Sequence, residues 1–263
     1  GFLGFSNTLG FKNYYGRNEF NNDDEYDGYW GIWDEPFLQF TKETLDNKKQ
    51  PFLATVFTIT SHEPYVIPKK YDNRFNQGII PMHKCVLYTD FSIRKFFDES
   101  KNSDWFKNTV FLFTADHSNQ SYYPYYQKTI NRFANPIMIY IPNSEFKGEV
   151  NSLASHMDIY PTIVDLIGYK KPFRSWGKSL VTRDNLNSIV VNYLGGGSYF
   201  IMNDSLISVH NGKKAIGFYD IQDKNFKNNL IHKRNKKMND LERKGSIFLQ
   251  DYFNRIIKGE MNY

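Results

Sequence analysis

The stretch Val110-Phe111-Leu112-Phe113-Thr114-Ala115-Asp116-His117-Ser118 decides how the rest of this chain is read. Its apolar and β-branched run, bounded by Asn108 and Asn119, predicts a short, fully buried strand. A buried parallel strand hands its next residues to the carboxyl edge of the sheet, where open α/β sheets bind ligands. Asp116 and His117 would then stand side by side on that rim. One carboxylate and one imidazole suit a divalent transition metal such as Zn²⁺ or Mn²⁺, because such ions accept both oxygen and nitrogen donors. A turn that merely contains Asp and His is the competing reading of the same two residues.

Working outward, Pro136 to Ile141 predicts another buried strand, and Asp158 caps a helix carrying Ile159, Ile163, Leu166 and Ile167 that Gly168 ends. Upstream, His83 to Ser100 predicts a helix with Val86, Phe91, Ile93 and Phe97 toward the core. Phe52 to Thr60 reads as a second buried strand, and it runs into Ser61-His62-Glu63-Pro64-Tyr65. Before it, Asp34 is placed to cap a helix with Pro36 in its first turn. This order of strands and helices predicts a mixed, largely parallel sheet flanked by helices. From residue 189 the pattern changes. Four short strands (189–194, 199–202, 205–209 and 215–219) are separated by Gly195-Gly196-Gly197, Asn203-Asp204 and Asn211-Gly212, which are hairpin signals. Ile247 to Ile257 predicts a closing amphipathic helix. The expected organisation is an α/β part over 1–188 and an antiparallel β subdomain plus helix over 189–263, both belonging to one unit.

Composition narrows the partners. With 263 residues the chain is long enough to bury a substantial core. No apolar run approaches the ~20 residues that span a bilayer, and the opening Gly1-Phe2-Leu3-Gly4-Phe5 lacks the basic and long apolar regions of a signal peptide. The lone Cys85 excludes an intrachain disulfide. The formal charge of +5 is modest. It owes part of its excess to Lys233-Arg234-Asn235-Lys236-Lys237, which reads as a solvated face or an attraction for anionic lipid; nucleic acid is not an expected partner.

Several segments together resemble the sulfatase-like branch of the alkaline phosphatase superfamily, and within it the lipoteichoic acid synthase type of phosphoglycerol transferase. They are Asp27-Gly28-Tyr29-Trp30-Gly31-Ile32-Trp33-Asp34-Glu35, Thr60-Ser61-His62-Glu63-Pro64-Tyr65, Thr114-Ala115-Asp116-His117-Ser118, Ser155-His156-Met157-Asp158-Ile159-Tyr160-Pro161-Thr162, and Phe218-Tyr219-Asp220-Ile221 followed by Asn228-Asn229-Leu230. The resemblance implies an alkaline phosphatase-like fold. It implies that Asp116 and His117 bind a divalent ion, Mn²⁺ first, with Zn²⁺, Mg²⁺ or Ca²⁺ as alternatives. His62 would contact the transferred group or act as general acid, and Arg17 and Tyr15 would hold the substrate. The family's Thr nucleophile and an acidic metal ligand would lie upstream of residue 1. This chain would then be a C-terminal portion, inactive alone, of an enzyme anchored by N-terminal membrane helices with its catalytic domain outside the cytoplasm.

The expected chemistry is transfer or hydrolysis of a phosphoryl or sulfuryl ester, with a phospholipid headgroup, a glycan or a sulfate or phosphate ester as substrate. A sulfatase is the alternative enzyme, and a non-catalytic module binding glycan or anionic lipid is the alternative from another class. His156 is expected at a helix entry, His83, His210 and His232 in exposed or structural places, and Trp30 and Trp33 in the core.

Overall fold

Strands β1 (Phe111–Thr114) and β2 (Ile137–Tyr140) pair antiparallel, with Phe111 opposite Tyr140 and Thr114 opposite Ile137. This corrects the largely parallel sheet expected from the sequence. The chain leaves β1, crosses the polar loop that begins at Ala115, and comes back in the opposite direction, which needs no crossover helix between the strands. The computed structural model describes residues 1–182 and 189–260, and every sheet among those residues is antiparallel. The expected boundary at 188/189 abuts residues 183–188 and so lies outside the described residues.

The chain forms two compact units. The first comprises Gly1–Tyr122 and Asn135–Phe146; the second comprises Tyr123–Ala134 and Lys147–Tyr263. In the first, helices α1 (Phe2–Thr8), α2 (Arg17–Phe20), α3 (Asp34–Asp46) and α4 (Met82–Ser100) all precede the β1–β2 pair in the chain. Helix α4 buries Cys85, Tyr88, Ser92 and Phe96, the 3- and 4-residue spacing of a single face. Val86, expected inward, is 50% exposed, because it sits one residue, about 100° of helix turn, off the Cys85 line. Leu38, Phe96, Trp105 and Phe106 form one core, with Phe97 and Phe111 packed on it. Ile67, Cys85 and Tyr88 form a second, with Trp33 and Phe91 against it.

Other local expectations fail in this unit: β2, expected to be buried, exposes Met138, Ile139 and Tyr140. β1 is half-buried rather than fully buried, and its last residue, Thr114, is exposed. Phe52 to Thr60 forms no strand among the described residues. The backbone N–H groups at its end, Ile59 and Thr60, donate to the Asp34 carboxylate at 2.8 and 3.0 Å instead of to a ladder. Asp34 is accordingly not the cap of α3; Trp33 occupies that position.

The second unit is built on a four-stranded meander, β3 (Val190–Gly195), β4 (Ser198–Met202), β5 (Leu206–His210) and β6 (Ala215–Asp220), each strand pairing with the next as the hairpin signals require. One face carries Phe200, Met202, Ile207 and Tyr219, packed with Ile130. The other receives α6 (Lys236–Lys258), which starts earlier than expected, at the Asn235 side chain accepting from the Met238 N–H. Helix and sheet approach closely at Gly245, where an added Cβ would lie 2.4 Å from Ile201 Cδ1. Helix α5 (Ile159–Leu166) follows Asp158, whose carboxylate does not cap it. That carboxylate accepts from the N–H groups of Ser155 (2.7 Å) and Lys178 (2.8 Å) and so pins the 175–180 loop.

Candidate active-site residues

Asp116 and His117 follow β1 directly and are solvent-exposed. Asp116 Oδ1 accepts the His117 backbone N–H at 2.8 Å, which fixes the carboxylate over the turn. His117 Nδ1 lies 3.1 Å from the Ser118 carbonyl oxygen. A carbonyl can only accept, so Nδ1 is the donor and Nε2 is left as the ligating atom. Nε2 stands 3.5 Å from Asp116 Oδ2. One oxygen and one nitrogen donor with a carbonyl-fixed tautomer is the donor chemistry of a Zn²⁺- or Mn²⁺-type site. The two residues therefore fit part of a metal site. No group of three His, Cys, Asp or Glu able to hold an ion occurs among the described residues, and this pair supplies two of the four donors a tetrahedral ion takes.

His62 is exposed in a loop that the fold braces from beneath. Asp34, 1% exposed, accepts from Ile59 N–H, Thr60 N–H and the Thr89 hydroxyl (2.6 Å), while its own N–H donates to Thr60 Oγ1 at 3.2 Å. The next turn closes with His62 N–H donating to the Ile59 carbonyl and Tyr65 N–H to the His62 carbonyl, both at 3.0 Å. His62 Nδ1 lies 3.1 Å from the Glu63 carbonyl oxygen, so here too Nδ1 is the donor and Nε2 is presented. The same carbonyl accepts the indole N–H of Trp30 at 2.8 Å, and the Trp30 ring lies 4.1 Å, centroid to centroid, from the imidazole.

Trp30, expected in the core, is 59% exposed. Asp27 turns it outward: its Oδ1 accepts the N–H groups of Tyr29, Trp30 and Gly31 at 2.8, 2.8 and 3.0 Å, a side-chain-closed turn that aims the next side chains at solvent. Sequence reasoning missed Asp34, Asp27 and Trp30 as site-building residues. The signal for the two acids was their place in Asp27-x-x-x-Gly31-x-x-Asp34, a short acid-and-glycine pattern typical of turns rather than caps.

Arg17 and Tyr15 are drawn into local contacts. Arg17 Nε donates to Asp23 Oδ1 at 2.7 Å and its guanidinium lies 3.8 Å from the centre of the Tyr26 ring. The Asp23 hydrogen bond holds the guanidinium pKa above, and the Arg17 hydrogen bond holds the Asp23 carboxyl below, their ordinary values. Tyr15 packs edge-on against Phe40, and its hydroxyl meets the Lys48 ammonium, which also donates to Asn13 Oδ1 at 3.0 Å. Cys85 is inert: burial pushes its thiol up to about 11. His156 belongs to the second unit and opens the turn before α5, where Ser155 and Asp158 cap each other's backbone. His83 accepts the Ile79 N–H at 3.2 Å, a structural place as expected.

Comparison with known proteins gives the family and the fold. Residues 3–169, more than half of the chain, match the family model described as Sulfatase. Lipoteichoic acid synthase 1 of Bacillus subtilis is 24% identical over 201 residues, which are 69% of this chain and 31% of that protein. Phosphoglycerol transferase I of Salmonella arizonae is 25% identical over 239 residues, 84% of this chain and 30% of that protein. The chain thus spans about a third of the length of these relatives. Among solved structures, a protein of the alkaline phosphatase superfamily from Vibrio parahaemolyticus superposes with a TM-score of 0.69 at 20% identity, over 91% of this chain and 58% of that one. Ps i-CgsB in complex with k-i-k-neocarrahexaose gives 0.66 at 16% identity, over 95% and 62%. At these identities the structures establish the fold, which is alkaline phosphatase-like α/β, and the family match covers both histidine loops described above: the chain belongs to the sulfatase family.

Proposed function

We propose that the protein transfers or hydrolyses a phosphoryl ester, most specifically a phosphoglycerol group from a membrane lipid or onto a glycan, on the outer side of the cytoplasmic membrane. The observation that carries this reading is the Asp116–His117 pair, with Nε2 and Oδ2 facing each other at 3.5 Å at the end of β1. Its support from relatives is that lipoteichoic acid synthase 1 and phosphoglycerol transferase I are similar to this chain over 69% and 84% of its length. Asp116 Oδ2 and His117 Nε2 are the atoms that would hold a divalent ion, Mn²⁺ first. When bound, such an ion supplies a Lewis acid that polarises a phosphoryl oxygen.

His62 manages the proton. Because Nδ1–H is committed to the Glu63 carbonyl, every proton gained or lost passes through Nε2. In its protonated form Nε2–H donates to the departing ester oxygen; in its neutral form it takes the proton of the incoming alcohol or water. One imidazole can thus serve both directions of a transfer between two hydroxyl groups. The membrane anchor of this reading is not one of the described helices: none of them is long and apolar enough to cross a bilayer. A sulfate ester is the second substrate class, because a tetrahedral sulfuryl group presents the same oxygens to the same donors and the matching family model bears the sulfatase name.

The test is turnover by the full-length protein of a chromogenic phosphodiester, a chromogenic sulfate ester and phosphatidylglycerol as Mn²⁺ is titrated. Saturable Mn²⁺ dependence on the phosphodiester and the lipid, removed by chelator and by Asp116→Asn, is the expected result. Preference for the sulfate ester would move the assignment to a sulfatase. Binding of glycan or anionic lipid with no turnover of any substrate would replace the enzyme by a binding module.

A further inference from the structure

Trp30 is the most exposed tryptophan among the described residues that is also locked in place. Its backbone N–H is held by Asp27 Oδ1 and its indole N–H by the Glu63 carbonyl, both at 2.8 Å. Neighbouring Tyr29 is 65% exposed. Exposed large apolar side chains standing singly need no explanation. This residue differs because its backbone N–H and its one side-chain donor, the indole N–H, are both hydrogen-bonded while the side chain stays 59% exposed. A rigid aromatic ring with few torsions to lose is an economical platform for a ligand. The ring also packs against His62, with ring centroids 4.1 Å apart and the planes tilted by 52°, and both side chains are exposed, so the indole and the imidazole present one continuous surface to solvent.

We propose that Trp30 is a substrate-binding residue, the wall that receives the alcohol portion of the ester, a polyol such as glycerol or a sugar, through its C–H faces. This deepens the reading above and rests on it, because His62 is taken there as the group that meets the ester oxygen. The polar edge of a polyol would face solvent and His62, and its carbon skeleton would lie on the indole, the amphipathic division that Trp supports at interfaces. A bare phosphate, with no carbon skeleton, would make no use of the ring. The shared Glu63 carbonyl gives Trp30 a second effect: it helps hold the acceptor that fixes the His62 tautomer.

The two effects separate by substitution. Trp30→Phe keeps a ring and loses the N–H donor; Trp30→Ala loses both. In the full-length protein, binding of glycerol 1-phosphate and of inorganic phosphate is measured by calorimetry, and both variants are checked for unchanged thermal unfolding. The expected result is that Trp30→Ala weakens glycerol 1-phosphate by about tenfold and phosphate by less than about twofold, with Trp30→Phe close to wild type for both. Equal weakening of both ligands would mean that the ring acts only through the His62 loop, and would overturn the proposal. So would no weakening of either. Loss of phosphatidylglycerol vesicle binding in Trp30→Ala, with glycerol 1-phosphate unaffected, would overturn it in favour of a membrane-surface contact. Failure of the wild type to bind either small ligand would instead remove the reading of the site on which the proposal rests.

Discussion

His62 and His117 of the first unit and His210 of the second are the same side chain used in opposite ways. The two loop histidines are exposed, and each spends Nδ1–H on a neighbouring carbonyl, leaving Nε2 outward. His210 is fully buried in β5; its Nδ1 accepts the Gly212 N–H at 3.0 Å, so its proton sits on Nε2, 3.2 Å from Ser246 Oγ. The tautomers are inverted. A histidine whose nitrogens both close protein hydrogen bonds has nothing left for a ligand, whereas one with a free Nε2 on an oriented ring is equipped for metal or proton chemistry. Within the first unit a second contrast holds. His62 rests on a buried carboxylate 28 residues earlier in the chain, Asp34, while Asp116 and His117 are oriented by bonds to each other and to Ser118.

The largest expected effect separates the two loop histidines. In the full-length protein His117→Ala should lower Mn²⁺ affinity and with it turnover by about a thousandfold, the several kcal/mol expected for losing a ligand. His62→Ala should lower kcat by about a hundredfold or more and leave Mn²⁺ affinity within about twofold, as expected for a general acid–base group. Metal titration beside steady-state kinetics reads both. Equal loss of metal affinity in the two variants would erase the distinction drawn between them.

The next effect tests the bracing of the His62 loop. Asp34→Ala strands the buried Thr60 N–H and the half-buried Ile59 N–H and Thr89 hydroxyl, and an unpaired polar group that is fully buried costs about 1–3 kcal/mol. Water entering the gap offsets part of that, so denaturant unfolding of the first unit should show a loss of about 3 kcal/mol. Asp34→Asn, which keeps an acceptor for the N–H groups and can donate to Thr89 Oγ1, should lose less than half as much. If Asp34→Ala unfolds like wild type, the loop is not held from beneath and the contrast with the Asp116 turn disappears.

Much of this was legible in the sequence, for reasons that differ by region. The second unit's meander was readable because three Gly/Asn turns fix the hairpins locally, and β3 to β6 fall within a residue or two of their expected bounds. The pairing of Asp116 with His117 was readable because the residues adjoin. The direction of the β1–β2 pair was not, because strand direction is set by where the chain returns, which a short apolar run does not encode. Nor was the fate of Phe52 to Thr60: its β-like composition is genuine, but the partner its N–H groups found was a side chain, Asp34, on a different element. Trp30 was misplaced because hydrophobicity alone sends tryptophan inward, and the Asp27 turn that sends it outward is a three-dimensional fact.

The smallest effect is a pH dependence confined to His210. Burial lowers its pKa below the ordinary histidine value, with Glu242 opposing in part. The groups facing it agree with that direction. Gly212 N–H already points at Nδ1, so a proton added there would meet another proton and break the bond. Glu242 is occupied by the Ala215 N–H at 2.7 Å and by Arg234, which limits what it returns to the imidazole. The unfolded chain therefore binds this proton at a higher pH than the folded one does. Stability rises with pH wherever the unfolded state binds more protons. The His210 contribution is thus fully present above the unfolded value of about 6.5 and is lost as pH falls from there through the depressed folded value. Unfolding of the second unit should become easier on acidification from neutral pH. His210→Gln, which can place an amide group toward Gly212 and Ser246 but does not titrate, should remove that part of the slope while leaving the slope from the carboxylates at lower pH. His62→Gln should leave the profile of the second unit as it is. A His210→Gln profile parallel to wild type between neutral pH and the onset of carboxylate titration would mean that the buried histidine does not carry the dependence, and that burial and an inverted tautomer do not distinguish it from the two loop histidines in the way the geometry implies.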